Sequence, residues 1–223
     1  VTEAALFRWP QSAKFQRRMP KAQLERLADL QPRVRRSLTD DVREASWAYK
    51  LSPTTTGVPA GARIAEIQVI ELGLKGRFVP EALIDALDSA IAHPVIFELR
   101  AGDSAMGEVL VLGATKTVSE KGALAHGPYH RSGWIDGTRD RRPLPVAPTL
   151  DALHDLLLAP LLGTERRASE SVEAAERRLR AAAALDRVIA ALERKMRSEP
   201  QLNRKLELRR ELRSKQEERE LLR

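Results

Sequence analysis

The segment EIQVIEL, residues 66–72, sets Glu66 and Gln68 two residues apart, with Glu71 and Lys75 close behind. Carboxylates that converge on a magnesium ion, with a lysine near the attacking water, are the equipment of a metal-dependent nuclease. Here Asp40 or Glu44 would have to supply a further acid, and Lys50 or Lys75 the cation. The fit is incomplete, because glutamine stands where such sites usually carry lysine and no fixed aspartate precedes it. Polar residues on the solvent face of a half-exposed strand give the same alternation without any chemistry. A second candidate is WAYKLSPTTTG, residues 47–57. Its Lys50, Ser52 and Thr54 could hold a phosphate, or could satisfy a helix end and open a turn, and the turn is the expected reading.

Other motifs exclude more than they offer. GATKT, residues 113–117, lacks the second glycine and the four-residue gap of a phosphate-cradling loop, so it reads as a strand end. His126 and His130 are four apart in HGPYH, but Gly127 and Pro128 prevent the helical geometry that would align them on a metal. There is no G-x-S-x-G for a hydrolase nucleophile and no cysteine for a thiolate site or a disulfide. No metal and no cofactor are expected.

The elements that must position these residues follow from apolar spacing. PKAQLERLADL, residues 20–30, is predicted helical through Leu24, Leu27 and Leu30. SLTDDVREASWAYKL, residues 37–51, is predicted as a second helix, N-capped by Ser37 or Thr39 and ended by Pro53. From residue 64 the period changes: IAEIQVIELGL reads as a strand, PEALIDALDSAI as a short helix, then HPVIFELR, GEVLVLGAT and PYHRSGWI as three strands. The expected fold is therefore α+β: a small mixed sheet in β-α-β-β-β order with N-terminal helices. DGTRDRRPLPVAPT, residues 136–149, carries three prolines and reads as a linker into the helix LDALHDLLLAPLL. Beyond it Val172, Ala175, Leu179, Ala182, Asp186, Ile189, Leu192 and Met196 follow steps of three and four, a heptad-like helix with one Asp on its seam. SEPQ, residues 198–201, has capping-box form and should start another helix carrying Leu202, Leu206, Leu208 and Leu212, giving a helical hairpin or a coiled coil with a partner. The expected organisation is a helical segment over 1–50, an α+β core over 51–135, a linker over 136–149 and a helical arm over 150–223.

Charge is unevenly placed along the 223 residues, whose net charge is +7. Residues 1–50 hold eleven Lys/Arg against six Asp/Glu, residues 51–164 ten against thirteen, and residues 165–223 seventeen against twelve. Two basic ends around a slightly acidic centre suit a polyanion, since Lys and Arg gain affinity by releasing counterions from phosphates. The candidate nucleic-acid contacts are Arg17, Arg18, Lys21, Arg35 and Arg36 in front and Arg204, Arg209, Arg210 and Arg213 behind. Mixed-sign helices that only solubilise themselves are the competing explanation. The longest apolar run, residues 156–162, falls far short of a membrane span, and absence of cysteine suits a reducing cytoplasm.

Three blocks, WAYKLSPTT, EIQVIELGLKGRFVPEALIDALDSAIAHPVIFEL and EPQLNRKLELRRELRSKQEE, resemble in order an uncharacterised bacterial family, domain of unknown function 4391. The resemblance spans nearly the whole chain and carries over no catalytic residues. It implies gene neighbourhoods with helicases and DNA methyltransferases of restriction or phage-defence type. The expectation is thus a non-catalytic accessory subunit that contacts nucleic-acid backbone, DNA among the candidates, and docks a helicase or methyltransferase through its C-terminal arm. A magnesium-dependent nuclease with a degenerate site at Glu66 and Gln68, and a purely structural subunit, are the alternatives.

Overall fold

A computed structural model describes residues 6–102, 107–118, 124–162, 167 and 170–222 of the chain. The chain forms two compact units, residues 1–165 and residues 166–223. In chain order the first unit contains strands β1 (Phe7–Arg8) and β2 (Lys14–Arg18), helices α1 (Lys21–Leu27) and α2 (Pro32–Asp40), strand β3 (Val42–Leu51), and the one-turn helix α3 (Pro53–Thr56). Strand β4 (Ile67–Leu74), helix α4 (Glu81–Ala90), and strands β5 (Val95–Ala101), β6 (Val109–Gly113), β7 (Lys116–Val118), β8 (Leu124–His126), β9 (His130–Arg131) and β10 (Arg142–Pro143) follow, then helix α5 (Leu150–Leu158). The second unit consists of α6 (Val172–Ser198) and α7 (Leu202–Leu221).

Six strands make the main sheet in the order β2-β3-β4-β5-β6-β9. Strands β4 and β5 are parallel, joined by the crossover helix α4, and every other neighbouring pair is antiparallel. The predicted β-α-β-β-β run is thereby present as β4-α4-β5-β6-β9, and the mixed sheet with its C-terminal helix pair is the architecture of the chain.

The two faces of the sheet differ. Ile70, Leu72 and Leu74 of β4 lie beside Phe97, Leu99 and Ala101 of β5 in register. All of these but Ala101, with Leu110 and Leu112, form one core cluster with Leu24 of α1, Leu38 of α2 and Leu83, Ile84 and Leu87 of α4. Removing these side chains from water stabilises the fold by about 25 cal/mol per Å² of apolar surface. The opposite face carries Val69, Glu71 and Gly73 beside Ile96, Glu98 and Arg100. Helix α5 lies close against it: a methyl group added at Gly113 of β6 would come within 2.8 Å of Leu158 and 2.9 Å of Ile96. Glycine is needed there because helix and sheet approach so closely.

At the centre of that second face Glu98 is fully buried. Arg141 clasps its two carboxylate oxygens with two hydrogen bonds of 2.8 Å, and Trp9 Nε1 donates a third at 2.7 Å. Arg141 also donates to the Phe7 carbonyl, while β1 pairs in parallel with β10. The hydrogen bonds to Glu98 hold the Arg141 proton above its ordinary value despite burial.

Four expectations about the first unit are corrected. The helix predicted over residues 37–51 is α2 followed by strand β3, and Ser37 and Thr39 lie inside α2 rather than at its start. Consequently residues 1–50 do not form a helical segment; they contribute β2 and most of β3 to the main sheet. Residues 136–149 are not a free linker, since Arg141 and β10 lock them to the sheet and to β1. Helix α5 belongs to the first unit, so the arm begins after it.

Within the second unit the two long helices fold back antiparallel. Arg219 reaches Asp186 at 2.8 Å and Arg178 reaches the Leu222 carbonyl at 3.2 Å. Ala182, Leu192 and Leu212 are buried, and Asp186, the polar position on the predicted seam, is the ion-pair partner. Ser198 does not cap α7; it ends α6 by donating to the carbonyls of Arg194 and Lys195. The backbone N–H of Gln201 is taken instead by Glu199.

Removing one member of a buried ion pair strands the other charge, which costs about 3–5 kcal/mol, whereas removing both is far milder. Arg141→Ala is therefore expected to destabilise the protein by that amount in urea unfolding. The Arg141→Met/Glu98→Leu double variant is expected to unfold at a urea concentration closer to that of the unsubstituted protein.

Candidate nucleic-acid interface

Strand β2, KFQRR, lies at one edge of the sheet with every residue exposed. It pairs with β3 through Lys14–Tyr49, Arg17–Trp47 and Arg18–Ser46, and the register shifts between Lys14 and Arg17. Gln16 sits in that irregularity with φ of 46°, a left-handed conformation that turns the strand locally. Paired residues share a face, so Arg17 lies on the side of Trp47 and Arg18 on the side of Ser46.

On the Trp47 side an aromatic and cationic cluster forms. Phe15 remains 42% exposed and meets Trp47 edge-on, with ring centroids 6.3 Å apart. Lys50 Nζ stands 4.7 Å from the Phe15 centroid and 5.0 Å from that of Trp47, within cation–π range. Lys50 also lies 3.9 Å from Glu66, whose carboxylate accepts a 2.6 Å hydrogen bond from Gln68 Nε2. Lys50, Glu66 and Gln68 are thus brought together. Trp47 Nε1 and Gln68 Oε1 are buried in this cluster with no hydrogen-bond partner among the described residues.

On the Ser46 side a groove of about 310 Å³ is lined by Gln16, Arg18, Glu44, Tyr49, Glu71 and Arg100, among others. Glu71 is therefore not part of the Glu66 cluster. It faces the other way, 3.3 Å from Arg100, which also lies 3.5 Å from Glu98. Burial raises the Tyr49 hydroxyl above its ordinary value, and the negative charges of Glu71 and Glu98 raise it further, against Arg141 and Arg100.

The remaining candidates are dispersed. Lys75 donates to the Thr39 carbonyl at 2.9 Å and Lys21 to the same oxygen at 3.2 Å, so both ammonium groups satisfy the C-terminal end of α2. Burial and then the Lys75 charge lower the proton affinity of Lys21, while Asp40 opposes them. Arg35 is engaged by the Leu30 carbonyl and Glu25, whereas Arg36 is exposed. Ser52 and Thr55 form a reciprocal capping box on α3, with Thr54 Oγ1 2.9 Å from Ser52 Oγ and Gly57 closing the turn at φ of 72°. The Ser-Pro-Thr-Thr-Thr stretch is structurally a turn. In the second unit Arg204, Arg209, Arg210 and Arg213 are exposed on α7, interspersed with Glu207, Glu211 and Glu217. Phe15, Trp47 and Arg141 are the residues that pattern reading did not single out. Phe15 carried a usable signal, an aromatic set between Lys14 and the Arg17–Arg18 pair.

A recess of about 560 Å³ between α4 and the β8–β9 stretch has polar groups that are already matched to one another. Asp85 pairs with His126 at 2.8 Å, Glu81 with Arg131 at 3.1 Å, and Tyr129 donates to Asp88 at 3.0 Å. Lys116 of the GATKT segment is buried at the end of α4, 2.7 Å from Asp88 Oδ1 and within reach of the Ile91 and His93 carbonyls. It completes a helix end rather than a phosphate loop. Among the described residues no group of three or more His, Asp or Glu side chains is placed to hold a metal ion, and no helix is long and apolar enough to cross a membrane.

These features define a mixed-sheet α+β protein with a basic, aromatic-bearing sheet edge and a C-terminal helix pair. The chain belongs to the family described as Domain of unknown function (DUF4391), whose sequence profile matches residues 7–218. No curated protein and no solved structure matches the chain.

Both tyrosines of the chain hold their protons tightly: burial raises Tyr129 as it does Tyr49, and the Asp88 carboxylate adds to the effect at Tyr129. The sign follows from the charge, since a raised value means the folded state disfavours the phenolate. This stability is intact below the ordinary value of 10.0 and is lost as pH rises through the folded-state values. At about pH 10.5, where free tyrosine is mostly ionised, the native protein is expected to show less tyrosinate absorbance than the urea-unfolded protein. Urea unfolding at the same pH should release the signal of both residues.

Proposed function

We propose that the protein is a non-catalytic accessory protein that holds nucleic-acid backbone along strand β2. The observation that carries this reading is the composition of that edge: Lys14, Arg17 and Arg18 in five exposed residues with no acidic residue among them. Contacts of this kind position a chain without reading sequence. The basic residues of α7 support the reading less, because glutamates are interleaved with them. The helical hairpin, with Leu202, Leu206 and Leu221 exposed, is the surface offered to a protein partner. A helicase or methyltransferase of a defence system is the partner class that the family resemblance implies.

Fluorescence anisotropy with a labelled DNA duplex across a salt series tests the backbone contact. The Arg17→Glu/Arg18→Glu variant is expected to lower affinity on any sequence and to reduce the log–log salt slope by about two. Unchanged binding would remove β2 from the interface.

A second reading, a magnesium-dependent nuclease, is favoured by the gathering of Lys50, Glu66 and Gln68. On that reading Glu66→Gln abolishes cleavage and leaves unfolding unchanged. A protein that cuts neither single nor double strands with any divalent ion tried would exclude it.

A further inference from the structure

We infer that the Phe15 side of the β2 edge is a single-strand site, on which an unpaired base stacks while Arg17 and Lys50 take the flanking phosphates. The inference rests on the nucleic-acid reading above and adds the class of strand. Its observations lie in four side chains on one face: Phe15, Trp47, Arg17 and Lys50. Arg17 and Lys50 come from different strands and stand on the same face as the exposed ring. Trp47 braces Phe15 edge-on and is itself packed against the helix-covered core, so the platform is backed by the fold and not by a loop.

The physical discrimination is simple. In a duplex every base is already stacked on its neighbours and its face is closed to a protein ring. In a single strand the face is open, and stacking on an aromatic side chain tolerates any base. Lys50, whose Nζ stands over the Phe15 ring and 3.9 Å from Glu66, adds attraction for the phosphate that joins two stacked bases. Charge alone would treat single and double strands by their phosphate density; an exposed ring between cations favours the strand whose bases are free.

The test compares short labelled oligothymidylate, oligouridylate and a duplex of equal length, by anisotropy at one salt concentration. The proteins are the unsubstituted chain, Phe15→Ala, Phe15→Tyr and Arg17→Glu/Arg18→Glu, each first shown to unfold at the same urea midpoint. Phe15→Ala is expected to weaken single-strand binding about tenfold, to leave duplex binding unchanged, and to be rescued by Phe15→Tyr. Whichever homopolymer binds more tightly identifies DNA or RNA as the source of the strand. Single-strand affinity that is unchanged by Phe15→Ala overturns the stacking site. If the Arg17→Glu/Arg18→Glu protein still loses binding in that case, the backbone reading survives alone. Absence of binding to all three probes overturns both.

Discussion

A carboxylate buried in the middle of a six-stranded sheet is the constraint around which the first unit is arranged. Glu98 lies on the central strand β5, with no exposure, where an unpaired charge would be far too costly to keep. Its three closest hydrogen bonds come from residues distant in sequence: Trp9 lies 89 residues before it and Arg141 43 after. Satisfying one side chain therefore fixes both the N-terminal segment and the stretch after β9 onto the same face of the sheet. Arg141 extends the link by binding the Phe7 carbonyl, which aligns β1 with β10. Such a pair adds little net stability over a well-packed apolar substitute. Its contribution here is to select one arrangement of these two segments on the sheet.

That dependence explains what pattern reading could and could not find. The strands from β4 to β6 and the crossover helix were legible because their apolar runs are buried on one or both faces and need no distant partner. Residues 136–149 were misread because three prolines and a run of charges are the signature of a solvated linker, and nothing local shows that Arg141 has a buried glutamate waiting. Strand β3 failed for a different reason. Its buried positions are Val42, Ala45, Ala48 and Leu51, spaced three apart, because two irregularities shift its register against β4. A strand so bulged imitates the spacing of a helix, and only its pairing with β2 and β4 reveals the difference.

The candidate site illustrates the rule of alternation. Glu66 and Gln68 differ by two and share a surroundings with Lys50, as their spacing requires. Glu71 differs from Gln68 by three, so the pleat sends it to the other face, beside Glu98 and Arg100. Lys75 follows the strand's end and is spent on the last carbonyls of α2. A constellation of Glu66, Gln68, Glu71 and Lys75 is therefore incompatible with a single extended strand, and that part of the outcome was readable in advance. The arrival of Lys50 beside Glu66 was not, since it depends on the antiparallel register of β3 and β4.

Edge strands must discourage pairing with other chains, and β2 does so in two ways. Its charges repel a second strand, and the left-handed turn at Gln16 breaks the flat row of backbone donors and acceptors. Both devices are explained by negative selection against aggregation alone, and so is a net positive edge. Phe15 is not explained in this way, because an exposed ring makes an edge more adhesive. Nor does the core account for it, since 42% of its surface stays outside. A residue that works against the protection of its own strand, held by Trp47 and on the face of Lys50 and Arg17, is what the proposed single-strand site would use. Under the proposed function the cations around it suit a polyanion, and among polyanions those with flat apolar faces to lay on a ring are nucleic acids.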